Sequence, residues 1–136
     1  MKHIQNITLK NIPQASKFIA NRLKGGEVLA LMGDLGSGKT AFVKALGKNL
    51  KIKSQITSPT FVLMNAFRAV LPKGRKRVLL VHLDLYRTRG IKEVRDLGLN
   101  EFWQKSDYIT VIEWADKIKK YLPTQAWMLK FSHGKH

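Results

Sequence analysis

The spacing of apolar positions along the chain changes several times between two residues and a helical repeat, which predicts strands interleaved with helices. Residues 4–9 alternate as a half-buried strand does, and Pro13 suits the start of the helix that follows. The apolar face of that helix is predicted to consist of Ala15, Phe18, Ile19 and Leu23. Short apolar runs predict further strands at residues 27–32, 56–63, 78–83, 108–114 and 126–131. Helical spacing is found at residues 40–50, and residues 91–104 are expected to be helical or turn-like.

Strands that alternate with helices are typical of an α/β domain with a mainly parallel sheet at its centre. The 136 residues are enough for one hydrophobic core. The sequence contains no internal repeat, no low-complexity tract and no linker-like change in composition. A single domain over residues 1–136 is therefore expected.

The sequence GDLGSGKT, residues 33–40, lies between the second predicted strand and the helix after it. It matches the pattern G-x-x-x-x-G-K-[ST] at every fixed position. Its glycines allow a tight turn in which successive N–H groups point at phosphate oxygens, and the following helix directs the positive end of its dipole to the same place. Lys39 supplies a charge for the outer phosphates, and the Thr40 hydroxyl is placed to ligate Mg²⁺.

This loop predicts a P-loop NTPase-type three-layer sandwich that binds ATP and Mg²⁺. Adenine is favoured because the chain has no Asn-Lys-x-Asp stretch of the kind that reads guanine. The residues expected to hold the nucleotide are Gly33, Asp34, Leu35, Gly36, Ser37, Gly38, Lys39, Thr40 and Ala41.

Two predicted strands end in an acid, at Asp84 and at Glu113. Hydrolysis needs a carboxylate near the metal or the attacking water, normally at the end of a neighbouring strand. The apolar run followed by Asp favours Asp84 as the acid of the nucleotide site, and Glu113 meets the same description with a longer side chain. The residues alone leave open which acid handles the metal, and for each the alternative is a strand-end acid that caps a helix or pairs with a lysine.

Three further features lie close to these motifs in sequence. The segment ITSPTF, residues 56–61, offers the hydroxyls of Ser58 and Thr60, which could sense a terminal phosphate as switch segments do. An edge strand with a proline bulge explains the same segment equally well. His82 is expected to be a packing residue rather than a catalyst. Trp114, next to Glu113, is expected in the core or at the wall of the nucleotide site.

The charge balance is strongly basic, with 25 Lys and Arg against 9 acids, a net charge of +16 and a pI near 10.4. One interpretation is an RNA partner. A spread of cations over the surface is slightly favoured, because the only dense cluster is residues 71–77, which read as an exposed hairpin loop. The chain has no cysteine and no apolar run of about 20 residues, and its first residues lack the apolar core of a signal peptide. A cytoplasmic protein without a membrane partner is expected.

The motifs GDLGSGKT, SPTF, HLDLYR and VIEW, in this order and at these separations, resemble the TsaE family of small bacterial P-loop ATPases. The resemblance implies slow ATP hydrolysis in complex with the TsaB and TsaD proteins, which form N6-threonylcarbamoyladenosine beside the anticodon of tRNA. It implies regulation or resetting of the transferase complex, with any tRNA contact indirect. It also implies that Thr40 and Glu113 ligate Mg²⁺, that Asp84 acts at the γ-phosphate or on water, and that Trp114 lies beside the site.

Two other functions are compatible with parts of the sequence. A small-molecule or nucleoside kinase would share the phosphate loop, although the chain has little length for an acceptor pocket and a lid. A basic RNA-binding module with a vestigial ATP site would explain the charge. Both are separable from a partner-dependent ATPase by experiment.

Overall fold

A computed structural model of the protein describes residues 2–56, 64–86, 91–96, 98–101 and 103–134. The strands are β1 (Lys2–Ile7), β2 (Val28–Met32), β3 (Met64–Val70), β4 (Arg77–Asp84), β5 (Tyr108–Glu113) and β6 (Trp127–Phe131). The α-helices are α1 (Ile12–Ala20), α2 (Lys39–Asn49) and α3 (Ile91–Arg95), and short 3₁₀ helices span Lys73–Arg75, Leu99–Glu101 and Ala115–Tyr121. Strands are interleaved with helices along the chain, although β3 and β4 follow each other without an α-helix between them.

The six strands form one sheet in the order β1-β6-β2-β5-β4-β3. Neighbouring strands are parallel except β3 and β4, which form an antiparallel hairpin at one edge. β2 is central and pairs with β5 on one side and β6 on the other. The expected α/β architecture with a mainly parallel sheet is confirmed. The carboxyl ends of the parallel strands β2, β4 and β5 lie together at the same end of the sheet.

Apolar side chains of β2 alternate between two buried layers. Leu29 and Leu31 pack on the side of α1 and α2, in a cluster that includes Phe42 and Leu46 of α2. Val28, Ala30 and Met32 face the other way, where the segments Leu99–Glu101 and Ala115–Tyr121 cover the sheet. Because both faces of the sheet are covered, its central strands are apolar at nearly every position, as the sequence indicated.

Most predicted elements lie within a few residues of their expected bounds, and two differ. The prediction for Phe18 was wrong: its side chain is 49% exposed and carries the Arg22 guanidinium over its ring, whereas Ile19 and Leu23 are buried. The strand expected at residues 56–63 falls, after Ile56, outside the described residues, as do Ser58 and Thr60. β3 (Met64–Val70) was not predicted as a strand. Residues 71–76 connect β3 to β4 at the place of the predicted hairpin loop, and Arg77 is already the first residue of β4.

No helix in the described part of the chain combines the length and the apolar composition that crossing a membrane requires.

Candidate functional site

The glycine-rich loop leaves the carboxyl end of β2 and enters α2. Gly38, at the N-cap of α2, has φ +110°, and a Cβ there would lie 3.0 Å from Ile12 Cδ1. Gly33 has φ +154°, and its Cβ would lie 2.7 Å from Ser37 Oγ and 2.9 Å from Phe131 Cβ. Side chains other than hydrogen fit neither position, so these two glycines set the path of the loop.

The N-cap of α2 is Gly38, which offers no side chain to compete for the first N–H groups of the helix. In this helix, all of which the structure describes, the N-cap makes no side-chain hydrogen bond and the first turn holds no acid. The first N–H groups of a helix have no partner within the helix, and the helix dipole favours an anion beside them. The end of α2 therefore offers donors to a phosphate group.

Lys39 is 5% exposed and folds back over the loop. Its ammonium group donates to the carbonyl oxygens of Gly33 and Asp34, the second at 3.3 Å, and lies 3.5 Å from the centre of the Trp114 ring. Burial lowers the pKa of Lys39, and the negative charges of Glu113, Asp116, Asp84 and Asp34 partly oppose that shift. The charged form of this lysine is therefore less favoured than in water, and an incoming anion would restore it.

Glu113 is 2% exposed and has hydrogen-bond partners at both carboxylate oxygens. The Thr40 hydroxyl donates to Oε1 at 2.9 Å, and His82 Nε2 lies 2.6 Å from Oε2. The fold thus brings together the hydroxyl and the carboxylate that the resemblance assigns to Mg²⁺. Oxygen donors of this kind match the preference of Mg²⁺, which takes carboxylates, hydroxyls and phosphate oxygens.

Asp84 ends β4 directly beside Glu113, because the two residues are register partners in the β4–β5 pair. Asp84 Oδ1 accepts the backbone N–H of Tyr86 at 3.0 Å. Burial raises the pKa of Asp84, and the negative charge of Glu113 adds to the effect, while the Tyr86 hydrogen bond opposes it. A carboxylate whose pKa is raised is a better proton acceptor than an ordinary aspartate.

Trp114 follows Glu113 in the left-handed backbone region, with φ +59°. A tryptophan in this region is strained by about 1–3 kcal/mol. The conformation places the indole against Lys39 and 5.0 Å from the Tyr86 ring, centre to centre. Trp114 therefore lies at the wall of this candidate site and also packs against the buried cluster that contains Val28 and Met32.

These side chains surround a cavity of about 270 Å³. Its lining consists of Leu35, Gly36, Gly38, Lys39, Thr40, Ala41, Asp84, Tyr86, Glu113 and Trp114. Three of the predicted nucleotide-holding residues, Gly33, Asp34 and Ser37, are not part of the lining. Gly33 and Asp34 instead bind Lys39 through their carbonyl groups, and Ser37 is buried under the loop.

Comparison with known proteins decides the family. The family model described as threonylcarbamoyl adenosine biosynthesis protein TsaE matches residues 7–136. The chain belongs to the TsaE family.

Curated members of the family align with most of the chain. A protein of Aquifex aeolicus is 45% identical over 103 residues, which are 74% of this chain and 67% of that protein. A protein of Synechocystis sp. is 39% identical over 110 residues, which are 79% of this chain and 65% of that protein. Both are named tRNA threonylcarbamoyladenosine biosynthesis protein TsaE. The chain thus spans about two thirds of the length of the curated relatives that it matches.

A solved structure shares the fold. The crystal structure of Bacillus subtilis YdiB superposes with a TM-score of 0.61 at 30% identity, over 87% of this chain and 67% of that one. The similarity agrees with the P-loop architecture that the sequence of this TsaE-family chain predicts.

Two residues of the site in this TsaE-family chain were not among the predicted ones. His82, expected to be a packing residue, is fully buried, and its Nε2 contacts the Glu113 carboxylate. Its position two residues before Asp84 put both on one face of the strand, which is a signal that could have identified it. Tyr86 was present in the motif HLDLYR, yet its contact with Trp114 depends on a turn that periodicity does not reveal.

Proposed function

We propose that this TsaE-family chain binds ATP with Mg²⁺ and hydrolyses it slowly. We further propose that it acts with TsaB and TsaD in forming N6-threonylcarbamoyladenosine in tRNA. The observation that carries the proposal is the hydrogen bond between Thr40 and Glu113, 73 positions apart, at the mouth of a phosphate-loop motif. A glycine-rich turn without a ligand gives no reason to bring a hydroxyl and a buried carboxylate together at the start of α2.

The charges in the cavity support a metal-bound nucleotide over a free one. Asp84 and Glu113 stand at the edge where the outer phosphates would lie, and their charges would repel bare ATP. Thr40 and Glu113 would hold Mg²⁺ there. The ion, when bound, supplies a positive charge that offsets the repulsion between the two carboxylates and the triphosphate.

Phosphate binding itself would use the backbone of the loop and Lys39. The N–H groups at the start of α2 would donate to phosphate oxygens, and the Lys39 ammonium would leave the carbonyls of Gly33 and Asp34 for the outer phosphates.

Hydrolysis would use Asp84 as the group that orients water. In that step the water oxygen bonds to the γ-phosphorus, the water proton passes to Asp84, and the bond from the γ-phosphorus to the bridging oxygen breaks to release ADP. The raised pKa of Asp84 supports this assignment. Glu113 is the other carboxylate in the described lining, and the proposal gives it the metal ion rather than the water.

Family membership supports the biological setting. The relatives carry the name of a tRNA-modification pathway, and the sequence resemblance implies a role in regulating or resetting the TsaB–TsaD complex. A cytoplasmic location and an indirect relation to the modified adenosine belong to the same proposal.

The test is ATP turnover by the chain alone and with purified TsaB and TsaD, together with a pull-down of the two proteins with and without ATP. We expect slow phosphate release alone, a changed rate in the complex, and capture that depends on nucleotide. A fast rate that is indifferent to the partners would refute the proposal. Transfer of the γ-phosphate to a small alcohol or a nucleoside would establish a kinase instead.

A further inference from the structure

One long stretch of the chain contains no acid, which leaves it with a large net positive charge. Between Asp34 and Asp84, residues 35–83 contain ten Lys and Arg and no Asp or Glu. All nine acids of the chain lie outside this stretch. One of the ten cations, Lys39, belongs to the nucleotide site, so nine remain for another role.

The fold gathers several of these cations at one edge of the sheet. The stretch forms α2, the segment after it and the β3–β4 hairpin, and β3 is the edge strand. A groove of about 1020 Å³ begins at this edge, and its lining extends from β3 across the first residues of β4 to the start of β5. Lys51, Lys53, Arg68 and Arg77 line it, and all four are exposed.

Among the described residues, these four side chains have no acidic partner. None of them forms an ion pair within 4.0 Å with any residue that the structure describes. One acid, Asp107, lies in the lining and leaves the groove with an excess of three positive charges. Like charges held this close repel one another, and a bound polyanion removes that repulsion.

Aromatic rings are interleaved with the cations. Phe67 and Tyr108 are part of the lining, and both are partly exposed. Rings beside a basic track are the arrangement that binds single-stranded nucleic acid, because bases stack on the rings while the backbone follows the cations. An acidic peptide offers the charge without the flat bases, and a mononucleotide offers too few phosphates for four cations.

We propose that this groove, defined by Lys51, Lys53, Arg68 and Arg77, binds the phosphate backbone of unpaired RNA. The site is separate from the nucleotide site, because Arg77 and Tyr108 begin β4 and β5 whereas Asp84 and Glu113 end them. At about 3.3 Å per residue, the length of β5 separates the two by roughly 17 Å. Both can therefore be occupied together, and the proposal does not depend on ATP binding.

The test compares two variants with equal loss of charge. The groove variant replaces Lys51, Lys53, Arg68 and Arg77 by Ala. The control variant replaces by Ala four exposed lysines that do not line the groove, Lys17, Lys92, Lys119 and Lys120. Binding of a fluorescein-labelled single-stranded RNA and of a tRNA is measured by anisotropy without nucleotide, between about 50 and 200 mM salt.

We expect the groove variant to reduce the slope of log Kd against log salt for the single strand by about 3, because each lost phosphate contact removes about 0.7. The control variant should keep most of the wild-type slope. An equal reduction of this slope in the two variants would overturn the proposal, because it would show that RNA binds through the overall charge of the protein.

Competition identifies the class of ligand. Unlabelled single-stranded RNA should displace the probe at lower concentration than duplex DNA or polyglutamate of equal charge. If polyglutamate displaces it equally well, the groove binds an acidic protein and the RNA assignment is wrong. Mg-ATP binding is measured for both variants as a control, and unchanged binding shows that the fold and the nucleotide site are intact.

Discussion

Replacing Lys39 by Met tests the nucleotide site at its central residue. Met keeps most of the length and apolar volume of the lysine stem and removes only the ammonium group. In the structure that group donates to Gly33 and Asp34 and contacts the Trp114 ring. With a bound nucleotide it would exchange these partners for phosphate oxygens.

The expected loss of affinity for Mg-ATP follows from the hydrogen bond that the Lys39 ammonium group would make to the phosphates. A hydrogen bond to a charged group contributes about 1.5–3 kcal/mol net. Removing it should weaken Mg-ATP binding about 10- to 150-fold, at 1.4 kcal/mol per factor of ten. Without nucleotide, the Lys39→Met variant should be nearly as stable as the wild type, because burial lowers the pKa of Lys39 and so disfavours the charge that the substitution removes. We expect its free energy of unfolding to change by less than about 1 kcal/mol.

Titration calorimetry with Mg-ATP measures the affinity, and urea unfolding measures the stability. Lys44→Met is the matched control, because Lys44 lies on the exposed side of the same helix and loses the same charge. The control should bind as the wild type does. Wild-type affinity in Lys39→Met, or an equal loss in both variants, would contradict the assignment of the loop as the phosphate site.

Three other predictions concern the acids and the protonation of the site. Glu113→Gln should weaken Mg-ATP binding by at least tenfold and Mg-free ATP much less, because it removes the negative charge beside Thr40; titrations with and without Mg²⁺ compare the two, and an equal change would remove Glu113 from the metal site. Asp84→Asn should bind Mg-ATP with at most a few-fold change and lower the rate of phosphate release by about 100-fold or more; normal turnover would return Asp84 to a structural role. The lowered pKa of Lys39 means that, as the pH rises, this lysine loses its proton at a lower pH in the folded protein without nucleotide than in the unfolded chain. The folded state therefore favours the neutral lysine, and this contribution to stability is fully present above the pKa of the unfolded chain. The contribution is lost as the pH falls through the pKa of the folded protein. Binding of Mg-free ATP at alkaline pH should therefore take up protons at Lys39, measured as a dependence of the binding enthalpy on the buffer; Lys39→Met should abolish the uptake, and an unchanged uptake in that variant would contradict this prediction.

The residues of the candidate site whose place in the fold the sequence predicted belong to locally encoded segments. The phosphate loop is contiguous, and its place between a buried strand and a helix follows from periodicity. Asp84 and Glu113 were placed together because parallel strands end at the same edge, and their register pairing agrees with that reasoning. The contact of Trp114 with Lys39 depends on a left-handed residue at a strand end, which no residue pattern in VIEW announces.

One wrong expectation and two features that the sequence did not reveal have tertiary causes. Phe18 fits the helical spacing of the apolar positions, yet α1 buries a narrower face, and Arg22 instead of the core covers its ring. His82 is fully buried, as expected of a packing residue, but its contact with Glu113 was not predicted because the two residues are 31 positions apart. The sequence order also hides which cations the hairpin and the segment after α2 bring to the same groove.

The central position of β2 bears on how the protein is made. This strand carries the phosphate loop, and its sheet neighbours are β5 and β6, about 80 to 100 positions later in the chain. During synthesis, the nascent loop emerges from the ribosome long before either neighbour exists to hold it, and contacts so distant in sequence form slowly. A ribosome-bound fragment that stops before Tyr108 lacks both β5 and β6, so we expect that it does not bind nucleotide. Nucleotide binding by the growing chain would therefore indicate that both strands have been made and have paired with β2.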